Sequence, residues 1–87
     1  MEFEFDEQKS ESNLAKHGIS FLEARRLWHD PRHLVVPALT STETRFAVIG
    51  LLENKTWTAI FTMRDDRIRI ISVRRTRHEE RQIYNRS

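Results

Sequence analysis

Three β-rich runs follow one another almost without a break in the second half of this chain: Arg45 to Leu52, Thr56 to Arg64 and Arg67 to Arg75. Only the short polar stretches Glu53-Asn54-Lys55 and Asp65-Asp66 separate them. Such breaks read as hairpin turns, so the three runs form an antiparallel meander. By the two-residue period of a strand, Trp57, Ala59, Phe61 and Met63 share one face, and Ile68 with Ile70 share another, supplying much of the core. Leu34-Val35-Val36 before Pro37 reads as a further strand, and Phe3-Glu4-Phe5 as a short edge strand.

Helices account for the rest. Asp6 is placed to cap a helix that runs from Glu7 to Lys16 and ends at Gly18. Ser20 and Glu23 form a capping box for a second helix, in which Phe21, Ala24, Leu27 and Trp28 recur at helical spacing until Pro31. Ile19, just before that cap, is set to pack on Ala24 as a hydrophobic staple. A last helix spans Thr76 or Arg77 to Tyr84, and residues 38–44 read as a polar loop. The class is α+β: a small antiparallel β-sheet with two N-terminal helices and a C-terminal helix, residues 1–87 forming one domain.

A chain of 87 residues has one core, so any active site is a shallow cleft on it rather than a deep cofactor cavity. The absence of cysteine removes disulfides, thiolate metal sites and cysteine nucleophiles, and suits the cytoplasm. The acidic start Met1 to Asp6 is unlike a signal peptide, and no run approaches the roughly 20 apolar residues of a membrane span, so neither export nor insertion is expected. Net charge is +2 but unevenly placed: nine of thirteen acidic residues precede Asp65, whereas eight of fifteen Lys and Arg residues fall from Arg64 onward. That asymmetry suggests a polyanion partner, nucleic acid first.

Three groups of residues could carry chemistry. Lys16-His17 ends the first helix, where histidine can exchange a proton and lysine can hold a phosphate; equally, cations at that position meet the negative end of the helix dipole. Arg64, Arg67, Arg69, Arg74 and Arg75 crowd the final hairpin, and guanidinium groups on strands offer forked donors to phosphate. Strict alternation would put Arg67, Arg69, Ile71, Val73 and Arg75 on one side and Ile68, Ile70, Ser72 and Arg74 on the other. The bland reading of Arg67 and Arg69 is solvation of the outer face and pairing with Glu or Asp. Glu80, Arg81 and Tyr84, in adjacent turns of the last helix, could orient RNA, stack a base or relay a proton, or form an ion pair and an aromatic anchor. Arg45, opening its strand, has the same two readings.

Other chemistries find little support. His29 and His33 are four residues apart, but Asp30-Pro31 between them breaks the helix that would align them for a metal. Gly18 and Gly50 are the only glycines, too few for a phosphate-binding loop, and no nucleophile elbow is present.

The run DEQKSESNLAKHGISF, Asp6 to Phe21, resembles the signature of the BrnT family of bacterial toxins, an Asp-x-x-Lys-x-x-x-Asn stretch leading into Lys-His-Gly-Val-Ser-Phe. RIRIISVRRTRHEERQIY, Arg67 to Tyr84, resembles its second signature, an Arg-Ile-Ile-Ser-x-Arg strand followed by a helix with Glu and Tyr. With Arg45 ahead of Ala47-Val48-Ile49-Gly50, the likeness covers nearly the whole chain in order. Phe5 stands where Trp is common, Asp65-Asp66 where Gly is frequent, and Thr76, placed to cap the last helix, where Ala is usual.

The resemblance implies a RelE-like fold and a metal-independent, cofactor-free endoribonuclease that cleaves RNA and inhibits translation. It also implies a BrnA-like antitoxin with a ribbon-helix-helix DNA-binding region, two toxins and two antitoxins in a heterotetramer, and DNA contact only through the antitoxin. Carried over by position, His17, Arg64, Arg74 and Glu80 are the catalytic candidates and Lys16, Arg45 and Tyr84 the RNA-binding ones. The ribose 2′-hydroxyl would attack the adjacent phosphate with His17 or Glu80 as base and Arg64 and Arg74 stabilising the transition state. The alternatives are a non-catalytic nucleic-acid or ribosome-binding module, or a structural subunit of the antitoxin repressor complex.

Overall fold

Both hairpin turns close in two residues, Glu53-Asn54 and Asp65-Asp66, with φ of 50°, 69°, 50° and 68° in that order. Positive φ at both central positions matches the twist of the strands they join, and Asn and Asp tolerate it better than most residues. These turns set the registers Leu52 opposite Lys55 and Arg64 opposite Arg67. The computed structural model describes residues 1–38 and 42–87. Its elements are β1 (Glu2–Glu4), α1 (Glu7–His17), α2 (Phe21–Ala24) with a 3₁₀ turn at Arg25–His29, β2 (Leu34–Ala38), β3 (Arg45–Leu52), β4 (Lys55–Arg64), β5 (Arg67–Arg75) and α3 (His78–Arg86). The loop expected over 38–44 falls partly outside the described residues.

The strand order is β1-β5-β4-β3-β2. Strands β2 to β5 pair antiparallel as expected, but β1 lies parallel to β5, Glu2 beside Arg67 and Glu4 beside Arg69. The sheet is therefore mixed rather than antiparallel. Alternation cannot tell the two directions apart, because either one sends Phe3 to the same face. Strand β2 also continues through Pro37, which an edge strand tolerates because one side of its ladder is open.

Capping residues act as their types dictate. Asp6 accepts hydrogen bonds from the backbone N–H of Gln8 and Lys9 at 2.8 and 3.1 Å, and Gly18 closes α1 at φ 80°. Ser20 and Glu23 exchange the two bonds of a capping box, at 3.1 and 3.0 Å. The second helix is shorter than expected: after one α-helical turn it tightens to 3₁₀ geometry, which brings Phe21, Ala24 and Leu27, three residues apart, onto one line facing the sheet. That line sits close to β3, where a Cβ added to Gly50 would lie 3.0 Å from the Leu27 carbonyl oxygen.

The main core lies between this helical layer and one sheet face. It gathers Ile19, Phe21, Ala24, Leu27, Trp28, Val48, Trp57, Ala59, Phe61, Ile68, Ile70 and Val73. Phe3, Trp28 and Phe61 form a run of edge-to-face rings, with centroids 5.1 and 5.2 Å apart. Met63, expected among them, is half exposed at the end of its strand.

Two features depart from simple alternation and shape the other face. Ile60 pairs with Ser72 and Phe61 with Ile70, so Ile71 is an extra residue bulged out of β5. The bulge puts Ile68, Ile70, Val73 and Arg75 on the core side and returns Arg67, Arg69, Ser72 and Arg74 together to the opposite side. The expected division of the arginines is thus corrected. Helix α3 then covers one end of that opposite face, beside the fully buried Ile49 and Thr58. No helix among the described residues is long and apolar enough to cross a membrane.

Candidate nucleic-acid interface

Helix α1 lies along the part of β5 that the three-residue β1 leaves unpaired. Asn13, buried at that seam, accepts from the Val73 backbone N–H at 3.1 Å and donates to the Ile19 carbonyl at 2.8 Å. Ser10 accepts from the Phe21 N–H at 2.9 Å. Two short polar side chains thus satisfy backbone groups that would otherwise be buried without partners. They also hold the exposed Lys16 and His17 over the bulged strand, where these two line a depression with Lys9, Ser12, Ile71 and Ser72.

A second depression shares Lys9 and Ile71 with the first and is lined by Glu43, Arg45, Thr62, Met63, Arg64 and Arg69. Arg45 is paired with Glu43 at 2.9 Å. Three guanidinium groups meet one carboxylate behind this depression: Glu4 lies 2.9 Å from Arg69 and 3.8 Å from both Arg64 and Arg67. Arg67 also reaches Glu2 at 3.7 Å. The acid pairing that one reading of Arg67 and Arg69 foresaw is present.

At the α3 end of the same face, Arg74 holds Glu80 at two points, Nη1 to Oε1 at 2.8 Å and Nη2 to Oε2 at 2.9 Å. Glu80 Oε1 also accepts from Thr58 Oγ1 at 3.0 Å and from the Arg77 N–H at 2.9 Å. These donors, Arg74 foremost, pull the Glu80 pKa down to about 2 despite partial burial, and the pairing raises that of Arg74. Glu80 is therefore a firmly ionised carboxylate whose first task here is to hold the Arg74 fork. Thr76, expected to cap α3, instead meets Thr58 Oγ1 at 3.2 Å, and the helix starts beyond Arg77.

Tyr84, one turn from Glu80, is buried, and its hydroxyl donates to Asp30 Oδ2. Asp30 also accepts from the Leu51 N–H at 2.8 Å and the Arg32 N–H at 2.9 Å, while the Arg32 guanidinium lies 5.3 Å from the Tyr84 ring centre. Desolvation opposes the Asp30 charge, but the Tyr84 hydroxyl and the two N–H groups outweigh it and its pKa is lowered. Burial, then the Asp30 partner, raises the pKa of Tyr84. Of the two sequence readings of Tyr84, this geometry is that of the aromatic anchor. Arg81 likewise bonds the Thr76 carbonyl at 3.2 Å.

The candidate residues thus fall into three places. Lys16 and His17 flank the bulge, Arg45 and Arg64 share the second depression, and Arg74 with Glu80 and Tyr84 lie at the α3 end. Glu4 and Lys9 were not singled out from sequence, although Lys9 is the lysine of the Asp-x-x-Lys signature. Arg75, on the core side, lies over Trp57 with 5.3 Å to the ring centre. Among the described residues no three histidine or carboxylate side chains gather, and His33 donates from Nδ1 to the Asp30 carbonyl at 2.8 Å.

Comparison with known proteins adds an independent line. No curated protein matches the chain. Residues 5–80 match a family model described as "Ribonuclease toxin, BrnT, of type II toxin-antitoxin system", a span that takes in the capped α1, the whole sheet beyond β1, and Arg74 with Glu80. The chain belongs to the BrnT family of ribonuclease toxins of type II toxin–antitoxin systems, in which RNA is the substrate and a protein antitoxin the partner.

Proposed function

We infer that this chain is a metal-independent endoribonuclease that cuts RNA on the open sheet face, halts translation by doing so, and is neutralised by its antitoxin. The observation that carries the reading is the bulge at Ile71. It puts Arg69, Ser72 and Arg74 of β5 on the same side of the sheet as Arg64 of β4, on a face that α3 covers at one end only and that lies beside Lys16 and His17. The 2′-hydroxyl gives its proton to the general base as its oxygen attacks the adjacent phosphorus, the bond to the 5′-oxygen breaks, and that oxygen takes up a proton from water, leaving a 2′,3′-cyclic phosphate and a 5′-hydroxyl. Arg74 stabilises the charge that builds on the phosphoryl oxygens, while Arg64, six residues along β4 from Thr58 opposite Arg74, holds the RNA strand further along the face; fixed positive charge with positioning supplies much of the barrier reduction without a metal.

His17 is the better placed general base. Its imidazole is exposed beside Ser72, whereas Glu80 is committed to Arg74, and a carboxylate pulled to about 2 is a weak base. Glu80 is then a positioning residue for Arg74. Lys16 and Arg45 guide the RNA backbone, and Tyr84 serves the site by fixing α3. The partner in this reading is a BrnA-like antitoxin whose ribbon-helix-helix region binds DNA, two copies of each chain forming the complex, with the toxin acting in the cytoplasm on a RelE-like scaffold.

Induced expression of the chain alone, beside Arg64→Ala and Glu80→Ala variants, tests this through growth and total RNA integrity. Growth arrest with fragmented RNA, lost in the soluble variants, supports the nuclease. Intact RNA and normal growth with soluble wild-type protein favour a binding module or a repressor subunit instead.

A further inference from the structure

We propose that the depression lined by Lys9, Arg45, Arg64 and Arg69 is a second phosphate subsite for the RNA strand, and that Glu4 occupies its arginines when RNA is absent. This rests on RNA being the ligand of the same face.

The numbers of donors and acceptors carry the inference. Each guanidinium offers five N–H donors, so three of them far exceed what Glu4, with Glu2 beside Arg67, can accept. Only Arg69 makes a hydrogen bond to Glu4, at 2.9 Å; Arg64 and Arg67 stand off at 3.8 Å and stay more than half exposed. The ammonium of Lys9 takes part in no ion pair among the described residues. Four cationic side chains and one carboxylate, Glu43, line a cavity of about 260 Å³ that opens to solvent beside them. Such a surplus of positive charge, held on strands, suits a diester phosphate better than it suits its present partner.

Position fixes which phosphate. Arg74 lies opposite Thr58 and Arg69 opposite Thr62, four residues along β4, a separation of about 13 Å at strand spacing. A phosphate in this subsite is not the one being cut at Arg74, but belongs to a strand that continues along β5 past the bulge. The face therefore takes an extended single strand, and RNA must displace Glu4 to seat fully.

The test uses a short single-stranded RNA with every ribose 2′-O-methylated, which binds but cannot be cut, and titrates it into wild type, Glu4→Gln and Lys9→Ala at several salt concentrations. Glu4→Gln should tighten binding by about threefold or more, because the competing charge is gone. Lys9→Ala should weaken it and lower the slope of log affinity against log salt by about 0.7, the share of one phosphate on a single strand. Lys9 makes no side-chain bond among the described residues, so its variant tests the subsite even where Glu4→Gln loosens β1. Unchanged affinity and salt slope in folded Lys9→Ala would overturn the subsite. So would a case in which only the binding of a poly-glutamate peptide responds, which would make the groove a protein-docking surface. Because the probe is never cleaved, a chain without nuclease activity would still show both changes, so failure of the subsite and failure of the nuclease reading remain distinguishable.

Discussion

Arg74 and Glu80 meet through two parallel hydrogen bonds that tie the end of β5 to the first turn of α3. The pair settles the ionisation of the carboxylate, the aim of the guanidinium and the angle at which α3 leaves the sheet. Its energetic mark is a pH dependence. The folded pKa of Glu80 is held at about 2, below the 4.5 of an unperturbed glutamate, so its stabilisation is complete above pH 4.5 and is lost as pH falls towards 2.

Urea unfolding at pH 7 and at pH 3 should show that loss in wild type, at most about 3 kcal/mol when fully developed. Glu80→Gln should be less stable at pH 7 and should lose less on acidification. Asp30, also depressed, keeps a residual slope in the variant. Equal acid sensitivity of the two proteins would show that the pair does not contribute.

Asn13 binds one backbone group on each side of the seam between α1 and β5. Asn13→Ala leaves the Val73 N–H and the Ile19 carbonyl buried without partners, a cost of about 2 to 4 kcal/mol. Denaturant melts should record it, with Asn13→Asp also destabilised because the donor to Ile19 is lost.

Asp65 and Asp66 both hold positive φ in a two-residue turn. Replacing them with Asn-Gly relieves backbone strain and like-charge repulsion, and should raise stability by about 1 kcal/mol, or Tm by about 4–8 °C. A thermal melt lower than wild type would contradict the turn geometry.

Tyr84→Phe separates anchoring from RNA contact. Loss of the hydroxyl bond to Asp30 should cost about 1 to 2 kcal/mol, while kcat/KM for RNA per folded molecule stays near wild type. A large fall in kcat/KM without loss of stability would return Tyr84 to the RNA-binding set.

Much of this fold is written in local residues. Asp6, Gly18 and the Ser20–Glu23 box act through bonds within three or four residues, so the first two helix starts were readable, as were the two hairpins from their polar breaks. The parallel placement of β1 was not, because its alternation is the same in either direction. The bulge at Ile71 was equally silent: one extra apolar residue in an apolar run gives no signal, yet it decides which arginines share a face. The candidate residues were legible as types and as members of family signatures. Their partners were not, since Glu80 with Arg74 depends on where α3 docks, and Tyr84 with Asp30 joins residues 54 positions apart.

The central claim is transesterification of RNA on the arginine face. Its most direct test is incubation of the purified chain, with a metal chelator present, with a single-stranded RNA and the DNA of the same sequence, followed by end-group analysis. The account predicts cut RNA bearing 2′,3′-cyclic phosphate and 5′-hydroxyl ends, intact DNA, and no cutting by folded Arg74→Ala. Cleavage of the DNA at a similar rate, or RNA products with 5′-phosphate ends, would contradict it.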